Sequence, residues 1–218
     1  MAKGLVVTLE ITFGALVLGI VIGIVISIIR ATHDKTIETM RPSLGKAALK
    51  LFNAVSKIYL TLFRGTPVVV QLLIFYFIIF SASDNGVMIA ILTFGINSGA
   101  YVAEIFRGGI MSIDRGQMEA GRSLGFNYVQ TMWHIIIPQA FKNVLPPLAS
   151  EFITLLKETS VAGYIAIRDI TKAAITIRGA TYSPFMPLIA LALIYLILVM
   201  FFTWLVGILE RRLRSSDH

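Results

Sequence analysis

The sequence contains no cysteine. That excludes a disulfide framework, a thiolate metal site and a thiol nucleophile. Charge is scarce too. Asp, Glu, Lys and Arg make up 14% of the chain, whereas soluble domains carry about 25%. So few charges cannot cover a water-facing surface. The three histidines, His33, His134 and His218, lie far apart in the sequence. No zinc-protease pattern, phosphate loop or dinucleotide glycine fingerprint is present. Any ATP chemistry linked to this chain therefore belongs to another chain. The first ten residues lack the basic region, short apolar run and small-residue cleavage site of a secretory signal, so they read as the start of a retained helix.

What the sequence has in excess is apolar residues, 56% of the total. They are concentrated in charge-free runs: Ile11–Ile29, Gly65–Ser83, Asn85–Ala103 and Gly179–Leu209. A hydrocarbon core needs roughly 20 helical residues to cross, and each run supplies enough. The expectation is a single domain over residues 1–218, all-α, polytopic, with five transmembrane helices. The spans fall at about Leu5–Ile29, Gly65–Phe80, Val87–Ile105, Ala140–Leu156 and within Pro184–Leu209. Lys46–Ile58 reads as an amphipathic helix at the interface. Lys157–Ser183 reads as a polar connection containing short helices. Gly19 and Gly23 form a small-xxx-small pair of the kind that lets helices approach closely. Plain abundance of glycine in membrane helices explains the pair equally well.

The net charge of +7 is distributed by topology. Thirteen of the 19 Lys and Arg residues, from Arg30 to Arg64, from Arg107 to Arg122 and in the tail Arg211–Arg214, fall on one side of the predicted spans. The positive-inside bias makes that side cytoplasmic. The N-terminus is then outside and the C-terminus inside, which an odd number of spans requires. Nucleic acid is not needed to explain the basic excess.

The most informative segment lies between the third and fourth spans, in the region of residues 112–126 and onward to Pro138. Asp114 can cap a helix with Gln117 as its reciprocal partner, and Asn127 can cap a second with Gln130. Gly125 fits the left-handed position that ends a helix, and Pro138 is expected to interrupt the second. An ordinary interfacial loop is the plain alternative to this helix–turn–helix. Its compact, capped form suits docking to a partner protein.

Glu119-Ala120-Gly121, then Gly125, then Ile135-Ile136-Ile137-Pro138 resembles the cytoplasmic signature of ATP-binding-cassette importer permeases: E-A-A, three residues, G, nine residues, I-x-L-P. Gly121 and Ile137 depart from it. Arg64-Gly65-Thr66-Pro67 with Gln71, Ala100-Tyr101 with Glu104 and Arg107-Gly108-Gly109, Pro138-Gln139-Ala140, and Glu151-Phe152 extend the resemblance to the polar amino-acid (histidine/glutamine/arginine) permease group. Ser150 stands where many members have Asn. The resemblance implies a type I importer-like permease subunit in the bacterial cytoplasmic (inner) membrane. It also implies a second permease, as homodimer or heterodimer, two copies of an ATPase subunit that bind ATP and Mg, and an extracytoplasmic substrate-binding protein. The coupling helix would carry Glu119, Ala120, Gly121, Arg122, Ser123, Leu124 and Gly125 into the ATPase. The chain itself would hold no cofactor and break no bond.

Polar residues inside spans cost about 2.5–3.5 kcal/mol when charged, so they mark function or a structural pair. Glu151 is the leading candidate to meet a substrate ammonium or a cationic side chain, which tilts the expectation towards basic amino acids. Asn97, Ser98 and Tyr101 form a stripe that lines a path or bonds a neighbouring helix, and Gln71 is similar. Glu104 is expected to pair with Arg107 at i+3. Pro146 and Pro147 either bend the fourth span or form a turn before it. The competing function is a stand-alone channel or secondary transporter with Glu151 as its ion or proton site.

Overall fold

The computed structural model describes residues 1–165 and 167–214, without the side chains of 213 and 214. His218 and the charge of Arg214 lie outside the described residues. Among the described residues, nine α-helices follow in order: α1 Ala2–Thr36, α2 Leu44–Gly65, α3 Val68–Ile74, α4 Gly86–Met111, α5 Arg115–Ser123, α6 Tyr128–Thr131, α7 Ile137–Glu158, α8 Ile170–Thr181 and α9 Phe185–Arg214. π-helical turns extend α3 through Phe75–Ile79 and join α6 to α7 through Met132–Ile136, and a 3-10 turn, Thr159–Ile165, leads from α7 towards α8. There is no strand among the described residues.

The centre of the fold is the pair α1 and α4. A Cβ on Gly14 would meet Ile91, one on Gly19 would meet Gly99 and Ser98, and one on Gly23 would lie 2.5 Å from Val102. The contacts climb both helices together, so the pair is parallel. Gly19 and Gly23 are thus packing residues, which lets the backbones approach and gain dispersion contacts that larger side chains would prevent. Ile11, Ala15, Leu72, Ala90, Phe94 and Leu155 form the buried core where α1, α3, α4 and α7 meet.

Three helices, Ala2–Thr36, Gly86–Met111 and Phe185–Arg212, are long and apolar enough to cross a membrane alone. α2 and α3 make a fourth candidate as a pair bent by 105°. α7 has 22 residues but carries Lys142, Glu151 and two prolines, and it does not reach the same apolarity. The expected interfacial helix is longer than the sequence suggested. Nothing breaks α2 until Thr66, which stands before Pro67 and is extended, because the proline ring disfavours helix at the preceding residue.

Two more local expectations change. Pro138 does not end its helix. The π-turn hands over to α7 with Pro138 near its first turn, where the missing N–H is tolerated. Pro146 and Pro147 lie inside α7 and not in a preceding turn. The polar connection does hold short helices, the 3-10 turn and α8.

Candidate translocation and coupling sites

Midway along the bundle, Ser98 of α4 donates to Glu151 of α7 through Oγ to Oε1 at 2.8 Å. Glu151 is half-buried and Ser98 fully buried. One carboxylate oxygen is thereby oriented. Tyr101 is exposed on the next turn of α4, with the Arg64 guanidinium 5.5 Å from its ring centroid.

Asn97 and Gln71 do something else. Both are buried. The Gln71 side-chain amide donates to the carbonyls of Phe63 and Thr66, each at 3.0 Å, and to Thr66 Oγ1 at 2.8 Å. Asn97 Nδ2 donates to the Phe63 carbonyl at 2.9 Å and to Gln71 Oε1 at 3.0 Å. The two amides stitch the bend between α2 and α3 to α4, satisfying carbonyls that the broken helix leaves without partners. Asn97 and Ser98 therefore point to different neighbours, and of the polar stripe only Ser98 reaches Glu151.

On the α5 side of Ser98 and Glu151, a cavity of about 590 Å³ opens between α4, α7 and α9, with Glu104, Ser112, Lys142, Asn143, Pro146 and Glu210 in its wall. Glu104 is the hub of a charge cluster at the same end. Arg107 reaches its Oε2 at 3.0 Å, as the i+3 spacing predicts, and Arg30 of α1 reaches Oε1 at 2.5 Å. Asp34 takes Arg107 at 3.3 Å, and Arg64 stands 4.0 Å from Glu104. Arg30 and Asp34 were invisible as partners in the sequence, because nothing local says which helix lies beside Glu104.

Beyond this cluster stands the helix–turn–helix. Asp114 caps α5 by accepting from the Gly116 amide at 2.7 Å. The expected reciprocal bond with Gln117 is absent, because the Gln117 side chain is engaged by Gln139. The C-terminus closes as predicted. Gly125 has φ +86°, its N–H bonds the Arg122 carbonyl, and the Phe126 N–H bonds the Gly121 carbonyl. This pair of bonds needs a left-handed residue that glycine supplies without strain. Asn127 and Gln130 form a full capping box on α6. Gly121 is buried against Thr131 and Ile135, whereas Glu119, Ala120, Arg122 and Ser123 are exposed. Leu124 is 75% exposed, and Val129 and Trp133 continue the apolar surface at 71% and 67%. Sequence reasoning missed the last two. Their signal was a bulky apolar residue on the outward side of a capped helix.

Asp169 lies at the opposite end and caps α8 by accepting from the Lys172 amide at 2.7 Å. It is fully buried, and its Oδ2 has no hydrogen-bond partner among the described residues. Burial holds its carboxyl above the usual range, against the lowering effect of the hydrogen bonds from Lys172 and Thr171.

A helical membrane bundle with a cavity between α4, α7 and α9 and an exposed, capped helix at one end has the form of a membrane transport subunit. Residues 43–215 match the model of the binding-protein-dependent transport system inner membrane component family, and the chain belongs to that family. It is 37% identical over 218 residues to the arginine transport system permease protein ArtQ of Bacillus subtilis, covering 99% of this chain and 93% of that one. It is 35% identical to a putative glutamine transport system permease protein, GlnP, of Rickettsia typhi, covering 97% and 91%. Among solved structures, an amino acid ABC transporter crystallised with histidines superposes with a TM-score of 0.84 at 38% identity, covering 97% of this chain and 92% of that one. The inward-facing MetNI methionine transporter has the same fold, with a TM-score of 0.79 at 20% identity.

Proposed function

We propose that this chain is the permease subunit of an ATP-binding-cassette importer of polar amino acids in the bacterial cytoplasmic membrane. α1, the bent pair α2–α3, α4, α7 and α9 are its five spans, with the N-terminus outside and the C-terminus and α5 in the cytoplasm. Two ATPase subunits bind ATP and Mg. Each receives one α5 through Glu119–Gly125, and a second permease completes the pathway as homodimer or heterodimer. An extracytoplasmic protein delivers the amino acid. The relatives named for arginine and glutamine transport support this substrate class.

The observation that carries the reading is α5. A nine-residue helix closed at both ends by side-chain and backbone caps keeps its shape outside the bundle, and it presents Glu119 and Leu124 outward. A flexible loop would lose any push applied to it. Within the pathway, Glu151 with Ser98 meets the positive group of the substrate and Tyr101 lies beside the path. Asn97 and Gln71 hold the bend that shapes it. Half-burial of Glu151 strengthens its attraction for a cation relative to bulk water, which favours arginine, lysine or histidine.

The test is reconstitution in liposomes with the partner ATPase and binding protein, measuring uptake of L-arginine and L-glutamine with and without internal ATP. ATP-dependent uptake is expected. Uptake indifferent to ATP would overturn the reading in favour of a stand-alone channel or secondary transporter.

A further inference from the structure

α5 and α7 are separated in sequence by α6 and the π-turn, yet a pair of side-chain amides joins them directly. Gln139 lies in the first turn of α7. Its Nε2 donates to the Ile135 carbonyl at 2.9 Å and to Gln117 Oε1 on α5 at 3.2 Å. The backbone is irregular in this stretch. Pro138 has no N–H, so it cannot donate to the carbonyl of His134 one turn back, and the π-turn Met132–Ile136 shifts the bonding pattern in the same stretch. The Gln139 amide braces this irregular turn with one hydrogen and reaches α5 with the other. One turn further along α7, Asn143 Nδ2 donates to Ser112 Oγ at 3.0 Å, just before α5 begins.

Other contacts between α5 and the segment that follows it are of a different kind. Gly121 packs on Thr131 and Ile135, and Met118 packs on the buried cluster of Ile136 and Ala140, contacts that depend on shape and not on the direction of one bond. A hydrogen bond between two amides fixes direction as well as distance. Gln139 is 12 residues before Glu151 on the same helix, about 18 Å at 1.5 Å per residue. A displacement of α5 is thus handed to the helix that carries the substrate carboxylate.

We propose that Gln139, through Gln117, is a positioning residue that locks α5 to α7 as one lever, so that movement of the ATPase is converted into movement of Glu151. This rests on the reading of α5 as the ATPase-docking helix. Without the lock α5 still docks, and hydrolysis still proceeds, but fewer turnovers move an amino acid.

The experiment uses the complete importer in proteoliposomes, with L-arginine as substrate, or L-glutamine if the wild type carries that instead. ATP hydrolysed per amino acid imported is compared for the wild type, Gln139→Leu, Gln117→Leu and the double variant. Each single variant is expected to raise the ratio about threefold or more, the scale of one hydrogen bond. The double variant should be no worse than either single. Gln139→Glu separates the two bonds: its carboxylate accepts from the Gln117 amide turned around, but cannot donate to the Ile135 carbonyl. It should stay near the wild-type ratio. Unchanged ratios in both single variants, additive losses in the double variant, or a Gln139→Glu variant as uncoupled as Gln139→Leu would each overturn the proposal. If Gln139→Leu fails to assemble, Gln117→Leu still tests it. A wild type without ATP-driven uptake would overturn the functional reading, and this inference with it.

Discussion

Replacing Gly121 by alanine would restore the residue that the permease signature carries there. The structure nevertheless predicts damage. An added Cβ would lie 2.5 Å from Thr131 Cγ2, 2.9 Å from Thr131 Oγ1 and 3.0 Å from Ile135 Cδ1. Thr131 is not free to turn away, because its hydroxyl donates to the Asn127 carbonyl at 3.0 Å inside the capping turn of α6. Rotating the threonine loses about 0.5–1.5 kcal/mol of hydrogen bonding. Keeping it in place costs about 1–3 kcal/mol of overpacking. Alanine returns only about 0.5–1 kcal/mol through its better helix propensity. The cheaper route, rotation, leaves a net destabilisation of up to about 1 kcal/mol, localised to the contact between α5 and α6. Gly121→Ala should lower the thermal midpoint of the purified protein by a few degrees and weaken co-purification with the ATPase. Thr131→Ser removes the offending methyl and keeps the hydroxyl, so the double variant should recover most of the loss. A Gly121→Ala protein as stable and as well coupled as the wild type would refute the reasoning. So would a double variant no better than the single one.

Two further substitutions test the polar sites. Glu151→Gln keeps the bond from Ser98 but removes the charge, so uptake of a cationic amino acid should fall at least tenfold while a neutral one is less affected. Equal losses in competition assays would remove Glu151 as a selectivity element. Asp169→Asn keeps an oxygen for the Lys172 amide and removes a buried charge. Because the folded-state carboxyl is held above its unfolded value, the native state binds more protons than the unfolded state between the two. Its contribution is then greatest at low pH and declines as pH rises through that window. The asparagine variant should be as stable as the wild type at acid pH and gain on it towards neutrality. Identical dependence of thermal midpoint on pH in both proteins would count against this.

The parts of the fold that repeat a local rule were legible in the sequence. Charge-free runs marked α1, α4 and α9, because the cost of burying a charge in hydrocarbon is paid residue by residue. Gly125 and the Asn127/Gln130 box were legible because a cap is decided within a few residues. What failed depended on partners distant in the chain. Gln117 was assigned to Asp114 by spacing, but Gln139 lies 22 residues on and competes for it. Gln71 and Asn97 are polar groups within apolar helices. Spacing could not distinguish amides that meet a solute from amides that hold the carbonyls of a bend, since the bend itself comes from Thr66 and Pro67. Glu104 was assigned its i+3 partner correctly, while Arg30 waited on the parallel packing of α1.

That parallel packing has a mechanical consequence. α1 is held against its surroundings at four heights: at Gly4 by the backbone of Asp169, at Gly19 and Gly23 by α4, and at Arg30 by Glu104. Sliding or tilting α1 against α4 would break several of these at once. The two helices therefore form a beam whose ends keep a constant separation, with the capped carboxyl of Asp169 at one end and the charge cluster at the other. α7 meets the same beam through Gly109 and Val144 and the bond from Ser98 to Glu151. Any rearrangement of α1 would therefore carry α4 with it.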